Sequence, residues 1–279
     1  MKLSNVRNQL IENIIKAVKS DPIIVGCLDY GSSSEGRDDQ WSDLDIALFI
    51  QDADLEQFNR EWKSWAAELG PLLLAYIGGI GHPWAVYDAD PMPLRVDFAF
   101  HPISEMDQIL AWPNAPLSVD KMVIYDGSDG RLRDTVSKIV GQSLAPDDLE
   151  RWFHSICGDL WVYLLRTHTK LLRGEHWTAR HDFNFVIMGN LIALLRIECG
   201  AVERMRAESA AARIESVLSS ARLQQLNNTI PGTKLEDLGR SLHLAAILGA
   251  DVCRQIAETH RWSWPSDLAK KVTSVVGKR

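Results

Sequence analysis

The stretch YGSSSEGRDDQWSDLDIALFI, residues 30–50, sets a glycine-serine turn ten residues ahead of two aspartates separated by one leucine, just where an apolar run begins. Side chains on a strand alternate between its two faces. Leu44, Ile46, Leu48 and Ile50 therefore share one face, while Asp43 and Asp45 project together from the start of the other. Two carboxylates in one small space repel and are costly to desolvate, so cations or strong hydrogen bonds must hold them there.

A second strand passes the same test. In LRVDFAF, residues 94–100, Leu94, Val96, Phe98 and Phe100 form an apolar face and Arg95, Asp97 and Ala99 lie opposite, so a third carboxylate emerges from a strand able to neighbour the first. Three hard oxygen ligands suit Mg²⁺, which keeps several waters and is completed by substrate phosphates. The Gly-Ser turn is the complementary half. Gly31 lets the backbone approach an anion, and the hydroxyl and N–H groups of Ser32, Ser33 and Ser34 can cradle phosphate oxygens. A phosphate cradle beside a carboxylate set equips a chain for two-metal phosphoryl or nucleotidyl transfer. The plainer alternatives are that Asp43 caps the turn with Ser42, that Asp45 pairs with Arg37 or Arg95, and that Arg95 neutralises Asp97.

Working outward, residues 5–19 carry an apolar stripe at helical spacing and IIVGCLD (23–29) is a strand. Residues 52–70 form a helix with an aspartate as N-cap. LLLAYI (72–77), WAVYDA (84–89) and the start of MVIYDGSDG (122–130) are further strands. Past residue 131 the β-branched runs stop, and helices are expected over 146–173, 182–200, 202–222 and 235–261. The fold class is therefore α+β: a mixed-sheet domain over residues 1–140 followed by a helical bundle over 141–279, with the cleft between them as the default ligand site.

Composition limits the function. The chain has 279 residues, a formal charge of −7 and 46% apolar residues. An acidic chain without a basic stripe disfavours nucleic acid as partner. The N-terminus reads as a first helix and not a signal, and PLLLAYIGGIG is too short to span a bilayer. Cys27, Cys157, Cys199 and Cys253 form no CxxC pair, which points to buried thiols in a reducing cytoplasm. DGSDG (126–130) is a turn, because the position where a calcium loop needs glutamate holds Ser137.

Gly31-Ser32, the ten-residue interval, Asp43-Leu44-Asp45 and a later strand aspartate, Asp97, together resemble the signature of the DNA polymerase beta-like nucleotidyltransferase superfamily. The pattern YGS followed by GxxDxxSDxD is most similar to the small antibiotic nucleotidyltransferases that act on lincosamides and aminoglycosides. The close resemblance covers residues 25–50 and extends loosely through Asp97 and the VIYDGSDG segment. It implies that Asp43, Asp45 and Asp97 bind two Mg²⁺ ions and that Ser32 holds the β- or γ-phosphate of ATP or another nucleoside triphosphate. Asp97 would take the proton from a hydroxyl of a small acceptor, and the helical domain would choose that acceptor. Family members often place basic residues on a C-terminal helix against the triphosphate. Lys170 and Arg173, one turn apart in RTHTKLLRGEHW, suit that role, with a solvated helix face as the alternative. His181 and Asp182 could face the cleft, or Asp182 could open a helix as N-cap. Trp41 could shield a base or pin its loop.

The expectation is a cytoplasmic enzyme that moves AMP onto a small antibiotic and releases pyrophosphate, with a homodimer compatible. The competing expectations are an adenylyltransferase that modifies a protein or RNA, and a non-catalytic nucleotide-binding module of antitoxin type. The module would be expected to lose the carboxylates, and all three are present.

Overall fold

The strands Ile24–Asp29 (β1), Leu44–Ile50 (β2), Leu72–Ile77 (β3), Pro83–Tyr87 (β4), Leu94–Pro102 (β5) and Val123–Asp126 (β6) form one sheet ordered β3-β4-β5-β2-β1-β6. This is a computed structural model, and it describes residues 3–79 and 81–277. The sheet is mixed: β2 and β5 run parallel, and the other pairings are antiparallel. The parallel pair sits at the centre, which matches its need for burial on both faces.

Alternation decides what covers each face. Leu44, Ile46, Leu48 and Ile50 of β2, with Leu94, Val96 and Phe98 of β5, pack against Val6, Leu10, Ile14 and Val18 of the helix Leu3–Ser20 (α1). Phe58, Trp62 and Ala66 of the helix Leu55–Glu68 (α2) complete that layer. Fully burying such an apolar side chain stabilises the fold by about 1.5–3 kcal/mol. On the opposite face Ala47 and Phe49 meet Met106 and Ile109 of a 3₁₀ segment, Ile103–Ala111. That layer continues through the short helix Val119–Met122 (α3) and the helix Arg131–Ser137 (α4), which contribute Met122, Leu132 and Val136. This second layer ends before it reaches Asp45 and Asp97, so both faces of β2 are apolar except where it begins.

Two expectations need adjusting here. Asp54 holds the N-cap position of α2 but makes no side-chain capping bond. The 3₁₀ segment and α4 were not anticipated from the sequence. The DGSDG stretch is a turn: Asp126 accepts hydrogen bonds from the Ser128 N–H and hydroxyl and from the Arg133 N–H, which fixes the start of α4.

The chain divides into two compact units, one ending at Ser143 and the other starting at Leu144. The second is helical: Leu149–Leu172 (α5), His176–Asp182 (α6), a π-helical turn Phe183–Ile187, Met188–Glu198 (α7), Ile214–Val217 (α8), Ser220–Asn228 (α9), Leu235–His260 (α10) and Ser266–Val276 (α11). Its core joins Phe153, Leu160, Trp161 and Leu164 of α5 to Leu191 and Leu194 of α7 and Leu242, Val252 and Ile256 of α10. The expected helices at 146–173 and 235–261 are α5 and α10. The helix expected over 182–200 begins earlier, at His176, so Asp182 ends α6 and does not cap a new helix.

The continuous helix expected over 202–222 is wrong. Arg213 has a left-handed backbone, φ 54°, and only α8 and the start of α9 are helical there. The buried Arg196 donates through Nε to the Ala210 carbonyl and through Nη2 to the Ala212 carbonyl, holding those acceptors out of a helical ladder. Ser219 then restarts the helix by accepting the Arg222 N–H. Buried thiols are found at Cys27, Cys157 and Cys253, but Cys199, at the end of α7, is exposed. Among the described residues no helix is long and apolar enough to cross a membrane.

Candidate active site

The parallel register of β2 and β5 sets Asp45 opposite Asp97, with Leu44 opposite Val96 and Ala47 opposite Ala99. Parallel partners share a face, so both carboxylates leave the sheet on the side away from α1 and α2. Asp43, just ahead of β2, joins them. One ligand oxygen from each of Asp43, Asp45 and Asp97 lies within 4.8 Å of the others, and among the described residues no other such cluster of metal-ligating groups occurs.

Arg95 reaches this cluster from the same face of β5. Its Nη2 donates to Asp43 Oδ2, and its Nε lies 3.0 Å from Asp97 Oδ1. That Asp97 oxygen is buried and accepts no aligned hydrogen bond. Among the described residues no cation forms an ion pair with Asp45: burial first, then the charges of Asp43, Asp97 and Asp29, raise its pKa to about 7, against a lowering by Arg95. Burial raises the Asp97 carboxyl as well, with Arg95 working against it. Carboxylate crowding with one guanidinium between them is a donor set a divalent cation fits. The raised pKa of Asp45, and that of Asp97 despite Arg95 beside it, mark negative charge that the protein compensates only in part.

The turn ahead of β2 is built around this cluster. A Cβ on Gly31 would sit 2.0 Å from Asp45 Oδ2, so only glycine leaves the carboxylate its place. The Gly31 N–H donates to Asp29 Oδ1 at the end of β1, an Asx turn. Burial raises the Asp29 carboxyl, while the Gly31 N–H, Arg7 and a hydrogen bond from Ser33 oppose the shift. Ser34 does not fit the expected cradle: its buried hydroxyl donates to the Gly31 carbonyl at 2.8 Å. Among the described residues none hydrogen-bonds the Ser32 hydroxyl. Asp29 was missed in the sequence, though an aspartate ending a strand two residues before a glycine is itself the Asx-turn signal.

Ser42 bonds Asp39 and not Asp43. Arg37 pairs with Glu35 at 2.5 Å, not with Asp45. Arg95 pairs with Asp97 at 3.0 Å and hydrogen-bonds Asp43, and forms no ion pair with Asp45. Trp41 is 56% exposed, on a loop held by the Trp41 N–H bond to Asp39.

Gly31, Ser32, Ser33, Asp43, Asp45 and Asp97 all belong to the first unit; Lys170 and Arg173 belong to the second. Lys170 Nζ lies 2.6 Å from Glu175 Oε2, and the exposed Arg173 is the C-cap of α5. Asp182 is buried and paired with Arg166 at 2.8 Å, and the His181 ring lies tilted against Phe185, 4.7 Å between centroids.

The sequence model of the streptomycin adenylyltransferase family matches residues 5–278. Comparison with curated proteins finds no match. Among solved structures, the chain is similar to an aminoglycoside 6-adenyltransferase from Bacillus subtilis, with 16% identity, 96% of each chain covered and a TM-score of 0.45. It is also similar to a nucleotidyltransferase-like protein from Exiguobacterium sibiricum, with 11% identity, 96% of this chain and 88% of that one covered, and a TM-score of 0.36.

Proposed function

Because the chain belongs to the streptomycin adenylyltransferase family and is a nucleotidyltransferase, we propose that it transfers AMP from ATP to a hydroxyl of an aminoglycoside antibiotic. The observation that carries the site assignment is the meeting of Asp43, Asp45 and Asp97 within 4.8 Å on one face of two adjacent strands. The formal charge of −7 supports an acceptor with several positive charges over one with a single amine, which favours the aminoglycosides over the lincosamides.

Asp43, Asp45 and Asp97 would hold divalent cations, Mg²⁺ by the hardness of the oxygen donors. A bound Mg²⁺ supplies positive charge at the phosphates and lowers the pKa of a nearby hydroxyl. The Ser32 hydroxyl binds a triphosphate oxygen, and the turn that Asp29 and Ser34 pin keeps that hydroxyl aimed. Asp97, whose carboxyl pKa is raised by burial, takes the proton of the acceptor hydroxyl as its oxygen bonds to the α-phosphorus. The bond from that phosphorus to the bridging oxygen breaks, and pyrophosphate leaves with the electron pair. Lys170 and Arg173 contribute positive charge toward the triphosphate, and the helical unit from Leu144 selects the acceptor. The enzyme acts in the cytoplasm, where ATP and Mg²⁺ are supplied.

The experiment is pyrophosphate release with ATP and Mg²⁺ across a panel of aminoglycosides, lincosamides and phosphorylated metabolites, each product weighed by mass spectrometry for one added adenylyl group. Turnover with an aminoglycoside is the expected result. Turnover with none of the antibiotics overturns the acceptor assignment, and wild-type turnover by Asp45→Asn overturns the site assignment.

A further inference from the structure

The arginine inside the acidic cluster has more to do than neutralise a neighbour. Arg95 shares a face of β5 with Asp97, and the register that pairs Leu44 with Val96 carries Asp43, one residue earlier, alongside it. The guanidinium hydrogen-bonds Asp43 and lies against Asp97. These are two of the three carboxylates whose oxygens converge. A planar guanidinium with five donors can span two carboxylates, which a single ammonium does not do with comparable geometry. The Arg95 side chain is also 53% exposed, so it can turn outward into water without leaving a buried charge behind.

We propose that Arg95 is a built-in placeholder cation. It bridges Asp43 and Asp97 and keeps the cluster assembled, and it must swing out when a divalent cation takes those carboxylates. The proposal rests on the metal-centre reading above and adds a competition to it. The molecules in which Arg95 bridges are closed to the cation, so apparent affinity for the cation alone is reduced by the fraction that is open. Arg95 is thus a positioning residue: it holds ligands in place until the ion does.

The test is Mn²⁺ binding to the full-length protein without nucleotide, followed by electron paramagnetic resonance, for wild type, Arg95→Met and Arg95→Lys. Both substitutions remove the bridge, so both are expected to bind Mn²⁺ about tenfold more tightly than wild type, through a larger open fraction. Thermal melts in chelator should show both variants melting below wild type, with Mn²⁺ raising their midpoints more than it raises the wild-type one. Lysine keeps the charge without the span. If Arg95→Lys binds like wild type and only Arg95→Met gains, charge alone sets the affinity and the proposal is overturned. Unchanged or weaker binding by both variants overturns it as well. If none of the three proteins binds Mn²⁺, the metal-centre reading fails and the proposal falls with it, an outcome distinct from binding that is equal in all three.

Discussion

Each unit of the protein contains an arginine set between two acidic side chains, and the two arrangements differ in their charge balance. In the helical unit, Arg222 of α9 reaches Glu198 of α7 through Nε at 2.9 Å and Asp251 of α10 through Nη1 at 2.7 Å. Arg254 meets the other Asp251 oxygen at 2.7 Å. Arg254 also meets Glu258, so three carboxylates face two guanidinium groups there. Burial alone would raise the Asp251 carboxyl, but the hydrogen bonds from Arg222 and Arg254 hold it below the usual range. On the sheet, Arg95 faces Asp43 and Asp97 with Asp45 beside them and Asp29 behind, and Asp45 is raised to about 7. The helical cluster is a completed structural network. The sheet cluster carries surplus negative charge that the fold does not discharge, a pattern that functional sites share and that underlies the proposed assignment.

The sharpest way to break this contrast is Asp45→Asn. It removes one ligand at nearly constant volume, and turnover is expected to fall by about a thousandfold or more, in line with the loss of a group on which developing charge depends. A chelator-treated sample should at the same time melt higher than wild type at pH 8, since the substitution relieves repulsion. The pH dependence gives the sign. The folded pKa of Asp45 lies above its unfolded value, so in the window from about pH 4 to 7 the folded protein binds the extra proton. Its contribution therefore weakens as pH rises through that window, and Asp45→Asn should flatten the slope in a series of chelator melts. Asp251 has the opposite sign, because its folded pKa is lowered. Its contribution is present above about pH 3.8 and is lost as pH falls through the lowered folded value.

Gly31→Ala comes next. The added Cβ must displace Asp45 or the turn, and turnover is expected to drop about a hundredfold, the scale of an ångström-sized misplacement. Circular dichroism should show an unchanged fold. Arg222→Met acts on the other cluster. It strands Glu198 in a partly buried position and leaves Asp251 to Arg254, and a chemical denaturation curve should report a loss of about 2 kcal/mol, less than for a fully buried pair. Turnover per folded molecule should hold. A fall in turnover as large as that of Gly31→Ala would erase the distinction between the clusters. The smallest effect is expected from Lys170→Ala, which should raise the KM for ATP modestly and leave the melting midpoint unchanged, since surface pairs contribute little.

What could be read from the sequence follows from which interactions are local. The alternation in DLDIALFI and LRVDFAF gave the faces of β2 and β5, because a period of two is a property of the strand alone. It set Asp43 and Asp45 on one face of β2, and Asp97 opposite the apolar face of β5, before any neighbour was known. It did not give the parallel register that sets Asp45 opposite Asp97, which depends on a pairing across fifty residues of chain. Residues 202–222 misled for the opposite reason. Their alanines and arginines favour helix locally, yet the distant Arg196 claims the carbonyls of Ala210 and Ala212. Ser34 reads as a further hydroxyl able to join the cradle because hydroxyls in a turn look alike in sequence, and only its bond to the Gly31 carbonyl tells it from Ser32. The helix α11 was legible and overlooked: Ala269, Val272 and Val276 repeat at helical spacing and are buried.

The central claim is that Asp43, Asp45 and Asp97 act as one cation-binding group beside a triphosphate pocket. A crystal grown with Mn²⁺ and a non-hydrolysable ATP analogue, measured at the manganese edge, tests it directly. The account predicts an anomalous peak liganded by all three carboxylates, with a phosphate oxygen of the analogue in contact with Ser32. An analogue bound with no manganese on these aspartates would contradict it.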